Sequence, residues 1–166
     1  MKNTKPFLYC LVPVFIMIGV MIYTGSQAGG DKNIIVKLEL AQDIDIAQAL
    51  LAPYDEAHLQ WLRLNTQLDF VFILTYSMLF YFAMVFWISK IPAAKDWSQV
   101  PLLAFIPGVL DVVENLFILR FLNHDFSTTN FSLYYWCVHI KWGLIPFLLI
   151  PSLSLLALII YKKVKG

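Results

Sequence analysis

Three polar residues occur at helical spacing in a stretch of the chain that is otherwise apolar. Asp111, Glu114 and Asn115 are three and then one residue apart, so on a helix they share one face. The surrounding residues 107–116 are apolar enough to lie within a membrane. An ionised carboxylate at the centre of a membrane helix costs about 2.5–3.5 kcal/mol. These acids therefore need protons or partner groups.

Candidate partners lie in two other apolar stretches at a similar depth. Counted from the outer end of each stretch at 1.5 Å per residue, Glu114 and Lys141 are both about 12 Å deep and Tyr76 about 13 Å. Asp111 lies about 16 Å deep by the same count. The sequence therefore predicts a polar cluster inside a helical bundle, with Asp111, Glu114, Lys141 and Tyr76 as candidate catalytic groups.

Two further residues complete the predicted ligand-binding set, which is Asp69, Tyr76, Asp111, Glu114, Asn115 and Lys141. Asp69 lies seven residues before Tyr76, which puts both side chains on one helical face. Asp69 and Arg120 are both about 3 Å from the outer end of their stretches. We therefore expect these two residues to form an ion pair at the outer rim.

His139 competes with Lys141 for the inward position. Two residues on a helix are rotated by roughly 200°, so both side chains cannot face the core. We expect Lys141 to point inward, since its charge has no low-cost alternative at that depth. His139 is then expected to stay near the interface, against Tyr135 and Trp142.

Metal and cofactor binding are not predicted. Asp111, Glu114 and His139 carry suitable donor atoms, but the chain has no HExxH motif, paired cysteines or EF-hand spacing. A nearby lysine would also repel a metal cation.

Four apolar stretches must position the predicted cluster. They are residues 7–23, 67–89, 100–122 and 133–161. Each is long enough to cross about 30 Å of hydrocarbon as a helix, the first only just. The chain of 166 residues is 60% hydrophobic and 14% charged, which does not fit a soluble domain. We predict an all-α membrane protein, a four-transmembrane-helix bundle forming a single domain over residues 1–166.

The first stretch also has the features of a secretory signal. Lys2 and Lys5 precede it, and Ser26-Gln27-Ala28 resembles a small-residue cleavage site. Its length of about 17 residues exceeds a usual signal core. We favour a retained helix and keep cleavage as the alternative.

The lysines predict the orientation, because Lys and Arg are retained in cytoplasmic segments. Seven lysines fall on one side of the four stretches: Lys2, Lys5, Lys90, Lys95, Lys162, Lys163 and Lys165. Both termini are therefore predicted to be cytoplasmic in an inner membrane. The net charge of +1 offers no surface for nucleic acid.

Residues 24–66 are predicted to form a small extracytoplasmic cap between the first two helices. An alternating set predicts a half-buried strand: Val36, Leu38 and Leu40. A set at helical spacing predicts a helix: Ile44, Gln48 and Leu51. Asp55 is expected to cap the N-terminus of a helix that continues into the second stretch. We expect the apolar face of the cap to meet lipid headgroups.

A short motif resembles that of a group of uncharacterised small bacterial four-helix membrane proteins. It consists of Asp69-Phe70, Tyr76, Leu110-Asp111-Val112-Val113-Glu114-Asn115 and Lys141-Trp142. The resemblance covers the last three stretches. It implies a membrane location and a common site for these polar residues, and it implies no activity.

Three functions fit these residues, and whether the protein is an enzyme stays open. The leading hypothesis is a site that binds or processes a lipid-like or amphipathic small molecule. In it Lys141 contacts an anionic head group or orients Glu114, the acids Asp111 and Glu114 exchange a proton, and Tyr76 donates a hydrogen bond. The second is a proton- or ion-coupled transporter in which Asp111 carries the proton, acting as a homo-oligomer. The third is an accessory subunit whose polar residues only join helices.

Overall fold

The computed structural model describes residues 4–31, 33–91 and 97–165, without the side chains of residues 128–130. All regular elements in these ranges are helices, and these ranges contain no strand. The elements are α1 (Lys5–Gln27), α2 (Ile34–Glu39), α3 (Ile44–Leu51), α4 (Glu56–Ile88), a 3-10 helix (Val100–Phe105), α5 (Ile106–Phe121) and α6 (Thr128–Lys165). Lys2, Lys32 and Lys95 lie outside the described residues.

Four segments are long and apolar enough to cross a membrane: Lys5–Gln27, Glu56–Ile88, Val100–Phe121 and Phe131–Lys165. They confirm the predicted all-α bundle of four helices and a multi-pass membrane protein. At 1.5 Å per residue, the 33 residues of α4 extend about 50 Å, and hydrocarbon needs only about 30 Å. Part of α4 therefore reaches beyond the bilayer core.

We call the short helices α2 and α3 together the cap. The ends of α4 and α6 nearest to these helices pack against them. Buried apolar residues form one cluster at this end of the bundle: Ala28, Ile34, Leu38, Leu51, Leu59, Leu62, Ile118, Phe121, Tyr134 and Val138. A second cluster fills the opposite end: Phe7, Val14, Ile73, Leu79, Phe86, Leu148 and Leu155. The predicted polar residues lie between these two apolar clusters.

The predicted strand in the cap is wrong, because residues Ile34–Glu39 form the helix α2. A strand needs a partner for its backbone groups, and in α2 these groups bond locally, as from Lys37 N to Asn33 O at 2.8 Å. Leu38 and Ile34 are buried on one helical face, whereas Val36 is 44% and Leu40 is 61% exposed. The alternation of apolar residues in this short segment fits a helix as well as a strand.

The remaining cap predictions have mixed outcomes. The helix predicted from the second set is α3, and Asp55 caps α4 by accepting a hydrogen bond from the His58 backbone at 3.0 Å. Part of the apolar surface of the cap packs on the bundle, since Leu38, Ala47 and Leu51 are buried in the cluster formed with α4, α5 and α6. Val36 and Leu40 stay exposed, and their contact with lipid headgroups stays a prediction.

Candidate functional site

Lys141 lies at the centre of the polar residues and points inward, as predicted. Its Nζ is 2.6 Å from Glu114 Oε2 and 2.9 Å from Asp111 Oδ1. The Lys141 side chain is 4% exposed and that of Glu114 is 1% exposed. Because Asp111 and Glu114 are one helical turn apart on α5, both carboxylates reach the same ammonium group.

The Asp111 carboxylate joins two helices to α5. One of its oxygens accepts a hydrogen bond from Lys141 on α6 at 2.9 Å. The other accepts from the Tyr76 hydroxyl on α4 at 2.7 Å. The Tyr76 ring is held between Phe72 and Phe80, with centroids 5.4 and 5.5 Å away. Tyr76, Asp111, Glu114 and Lys141 are thus brought together as predicted.

Asp69 and Asn115 form a second contact between α4 and α5 on the same side. Asn115 Nδ2 donates to Asp69 Oδ2 at 2.7 Å. The predicted Asp69–Arg120 pair is wrong, because Arg120 Nε lies 3.2 Å from Asp125 Oδ2. Arg120 follows Asn115 by five residues, which rotates it by about 140° away from that face.

Glu39 is a member of the site that sequence reasoning missed. It is the last residue of α2, and its Oε2 lies 3.8 Å from Lys141 Nζ. The same oxygen accepts a hydrogen bond from Trp142 Nε1 at 3.0 Å. The Glu39 residue is 8% exposed. We call Lys141 and its three acidic neighbours, Asp111, Glu114 and Glu39, the Lys141 centre.

The sequence contains a signal for Glu39, but the signal is visible only when the segment around Glu39 is assigned to a helix and not to a strand. In a helix, Glu39 follows Ile35 by one turn, and Ile35 packs at the border of the cap-side apolar cluster. In the predicted strand, Glu39 fell on the opposite side from Leu38 and appeared solvated.

Negative charge exceeds positive charge at the Lys141 centre, where three carboxylates surround one ammonium. One ammonium cannot balance three carboxylates, and an uncompensated buried charge is costly. The centre is therefore suited to take up a proton or another cation.

Tyr134 is a second buried residue that sequence reasoning missed. Its ring is fully buried, and its hydroxyl has no hydrogen-bond partner among the described residues. Its electrostatic neighbours are Glu114 and Glu39. A donor hydroxyl near these acids can hydrogen-bond a water molecule or a displaced carboxylate oxygen.

His139 lies outside the site, as expected from its rotation relative to Lys141. Its Nδ1 is 2.8 Å from the Tyr135 carbonyl oxygen, and the two rings are 3.9 Å apart. The Trp142 N–H, expected near His139, donates to Glu39 Oε2 at 3.0 Å.

Polar contacts outside the centre set the relative position of the helices. Asn65 Nδ2 on α4 donates to the Thr24 hydroxyl at 2.6 Å and to the Met21 carbonyl at 2.9 Å on α1. Arg63 Nη2 donates to the Leu122 carbonyl at the end of α5 at 2.7 Å. These bonds fix α1 and α5 against the α4 helix that carries Tyr76.

No group of three potential ligands that could hold a metal occurs among the residues that the structure describes. At the Lys141 centre the ammonium group occupies the position between the carboxylates where a cation would sit. Searches with family models, curated proteins and solved structures found no match to this chain. The chemistry of the site therefore rests on its own geometry.

Proposed function

We propose that this protein exchanges protons inside the membrane through the Lys141 centre, as a proton- or ion-coupled transporter does. The observation that carries the proposal is the convergence of three carboxylates on one buried ammonium, at 2.6, 2.9 and 3.8 Å. Buried ionisable groups within membrane helices commonly belong to proton relays and ion paths.

The excess of acid favours a cation over an anion as the exchanged species. One ammonium cannot neutralise three carboxylates, and an uncompensated buried charge is costly. Lys141 already contacts Asp111 and Glu114, so an anionic head group would have to displace both. The role of Lys141 that fits this geometry is to orient Glu114 and Asp111.

Asp111 is the candidate carrier of the exchanged proton. Its two oxygens accept from different helices, so a change in its charge alters contacts with α4 and α6 together. Its side chain is 13% exposed, compared with 1% for Glu114. Since four helices form a narrow bundle, a continuous path through the membrane calls for a homo-oligomer.

Proton flux in proteoliposomes tests this proposal. A pH-sensitive dye inside the vesicles should report flux under an imposed membrane potential, and Asp111→Asn should abolish it. Asp45→Asn, which changes an exposed acid on α3, should leave the flux intact. Flux that is absent from the wild type, or equal in Asp111→Asn, would exclude the transporter.

A second candidate is the binding or processing of a lipid-like amphipathic molecule, here with a cationic head group. The observation that favours it is the uneven exposure of the site. The side chains of Asp111 and Glu39 are 13% and 11% exposed, and that of Lys141 is 4% exposed. A cationic head group can approach the exposed parts of the Asp111 and Glu39 carboxylates while its apolar tail lies along the membrane-facing helices.

Native mass spectrometry of the gently solubilised protein tests the second candidate. A retained amphiphile that is lost in Asp111→Asn supports it, and the same spectrum gives the number of subunits. Retention that survives both Asp111→Asn and Lys141→Ala would place the molecule elsewhere. If these variants change neither retention nor flux, the polar contacts serve only to join helices.

For the location, we propose the inner membrane of a bacterium, with both termini in the cytoplasm and the cap outside. Described lysines at the end opposite the cap support this orientation: Lys5, Lys90, Lys162, Lys163 and Lys165. The bacterial origin rests on the motif resemblance alone. Labelling of single cysteines at Leu40 and Val164 from either side of intact cells checks the topology.

A further inference from the structure

A groove on α5 lies on the opposite side of the helix from its acidic residues. It encloses about 380 Å³ and is lined by Val113, Leu116, Phe117 and Arg120. These residues are spaced i, i+3, i+4 and i+7, so they share one helical face. Val113 follows Asp111 by two residues, which rotates it by roughly 200°. Since α5 lies within a candidate membrane span and Leu116 is 53% exposed, the groove opens toward lipid.

Arg120 places a cationic group at the polar end of this groove. It lies in the last turn of α5 and therefore at the boundary of the span Val100–Phe121. Its side chain is 54% exposed. A guanidinium group is a planar fork of N–H donors that fits a phosphate group. The ion pair of Arg120 with Asp125 uses Nε, which leaves the donors on Nη1 and Nη2 for a ligand.

The turn after α5 holds an acidic group beside Arg120. The Asp125 N–H donates to the Arg120 carbonyl oxygen at 3.0 Å. His124 has a φ of +63°, the left-handed conformation that turns a chain back at a helix end. Asp125 Oδ2 lies 3.2 Å from Arg120 Nε, and the Asp125 side chain is 49% exposed. Because an ion pair this exposed contributes little to stability, both charges are available to the groups of a ligand.

The cation, the anion and the apolar groove together match a phospholipid whose head group carries both charges. The phosphate can accept hydrogen bonds from Arg120, a primary ammonium can donate to Asp125, and an acyl chain can lie along Leu116 and Phe117. A head group with negative charge alone would be repelled by Asp125. A quaternary ammonium has no N–H group to donate to the carboxylate.

We propose that this groove binds a phospholipid with a primary ammonium, phosphatidylethanolamine, from the leaflet at the cap end of the bundle. The site is separate from the Lys141 centre, and the inference does not depend on the proposed proton exchange. It assigns a function to Arg120 and Asp125, whose contact with each other lies outside that centre.

Competition between three phospholipids tests the site. The protein is exchanged into detergent micelles that contain equal amounts of phosphatidylethanolamine, phosphatidylcholine and phosphatidylglycerol with identical acyl chains. Native mass spectrometry then counts the lipid molecules that each chain retains. The wild type should retain phosphatidylethanolamine about tenfold in excess of either competitor, since each competitor lacks the charge-assisted hydrogen bond to Asp125.

Three variants of the site have different expected results. Arg120→Gln removes the group that binds the phosphate, so the retained phosphatidylethanolamine should fall about tenfold. Asp125→Asn removes both the contact with the ammonium and the repulsion of anionic head groups. Phosphatidylglycerol should then be retained at least as well as phosphatidylethanolamine. Leu116→Trp fills the groove and should lower the retention of all three lipids. The half-exposed positions of Arg120 and Asp125 make their substitutions compatible with folding.

Two further variants show where the lipid binds. Lys163→Gln changes an exposed cation at the other end of the bundle and should keep the wild-type preference. Asp111→Asn should keep it as well, because its carboxylate lies on the opposite side of α5. A wild type without a preference for phosphatidylethanolamine, or a preference unchanged in both Arg120→Gln and Asp125→Asn, overturns the inference. A preference lost only in Asp111→Asn also overturns it and assigns the lipid to the Lys141 centre.

Discussion

The Tyr76 hydroxyl donates a hydrogen bond to Asp111 Oδ2 at 2.7 Å. This bond joins α4 to the acidic face of α5 and leaves the other Asp111 oxygen for Lys141 on α6. Three of the four long helices are therefore connected through one carboxylate. Helix packing and the charge of the site are thus coupled at this residue.

Removing the Tyr76 hydroxyl should weaken the bundle. Tyr76→Phe keeps the ring between Phe72 and Phe80 but leaves Asp111 Oδ2 without its donor. We expect a loss of about 1–2 kcal/mol in the free energy of unfolding, measured by titration with SDS in mixed micelles. Tyr81→Phe, on the same helix and with ring contacts to Phe82 and Phe105, should have a smaller effect. Equal effects would contradict the assigned hydrogen bond.

Removing the ammonium group should be more damaging than removing the hydroxyl. Lys141→Met leaves Asp111 and Glu114 buried without a counter-charge, and we expect a loss of about 3–5 kcal/mol. Adding Glu114→Gln should recover part of it, because one uncompensated acid is then gone. Lys163→Met at an exposed position is the control, and all variants are compared by SDS titration. A double variant less stable than Lys141→Met would refute the pairing.

Gly108 allows α5 to approach α4 closely. A Cβ at this position would overlap the Ser77 hydroxyl, whereas a Cβ at Gly143 would meet open space. Gly108→Ala should therefore destabilise the protein by about 1–3 kcal/mol, and Gly143→Ala should not. The Ser77 hydroxyl is buried without a hydrogen-bond partner in the described structure, so Ser77→Ala should be tolerated.

The double variant Ser77→Ala, Gly108→Ala gives the sharper test of this contact. It removes the overlapping oxygen, and the remaining Ser77 Cβ would lie at an ordinary 3.6 Å. We expect thermal unfolding in detergent to return most of the way to the wild-type temperature. No recovery would show that the close approach depends on Ile73 instead, which a Cβ would meet at 3.3 Å.

Asp55, which precedes α4, should make the start of this helix sensitive to low pH. Hydrogen bonds from the His58 backbone and ring lower the pKa of the Asp55 carboxyl. Because its pKa is lowered in the folded state, the Asp55 carboxylate stabilises the start of α4 at pH values above its unfolded pKa of about 3.9. This stabilisation is lost as the pH falls through the folded pKa. The His58 amide shift in NMR should report a midpoint below that of an ordinary aspartate. In Asp55→Asn this acid step should disappear.

The polar residues of the long helices were predictable because their placement is a local property. The i, i+3 spacing puts Asp111 and Glu114 on one face of any helix, and the rotation between His139 and Lys141 allows only one of them inside. Chain length and the cost of burying charge then bring these groups to a common depth.

The partners that come from other parts of the chain were not predictable in this way. Asp69 and Arg120 lie at similar depth, but only the packing of α4 on α5 shows that Asn115 lies opposite Asp69. Glu39 falls on the polar side of the predicted half-buried strand, because alternation over a few residues fits a strand as well as a short helix.

The sequence by itself therefore determined the four apolar helices and the acidic face that meets Lys141. The tertiary structure decided that the cap is helical, that it packs on the bundle, and that Glu39 enters the centre. Hydropathy and helical rotation act between residues that are close in the chain. The contact between Glu39 and Trp142 joins residues 103 positions apart, and only the packed fold brings them together.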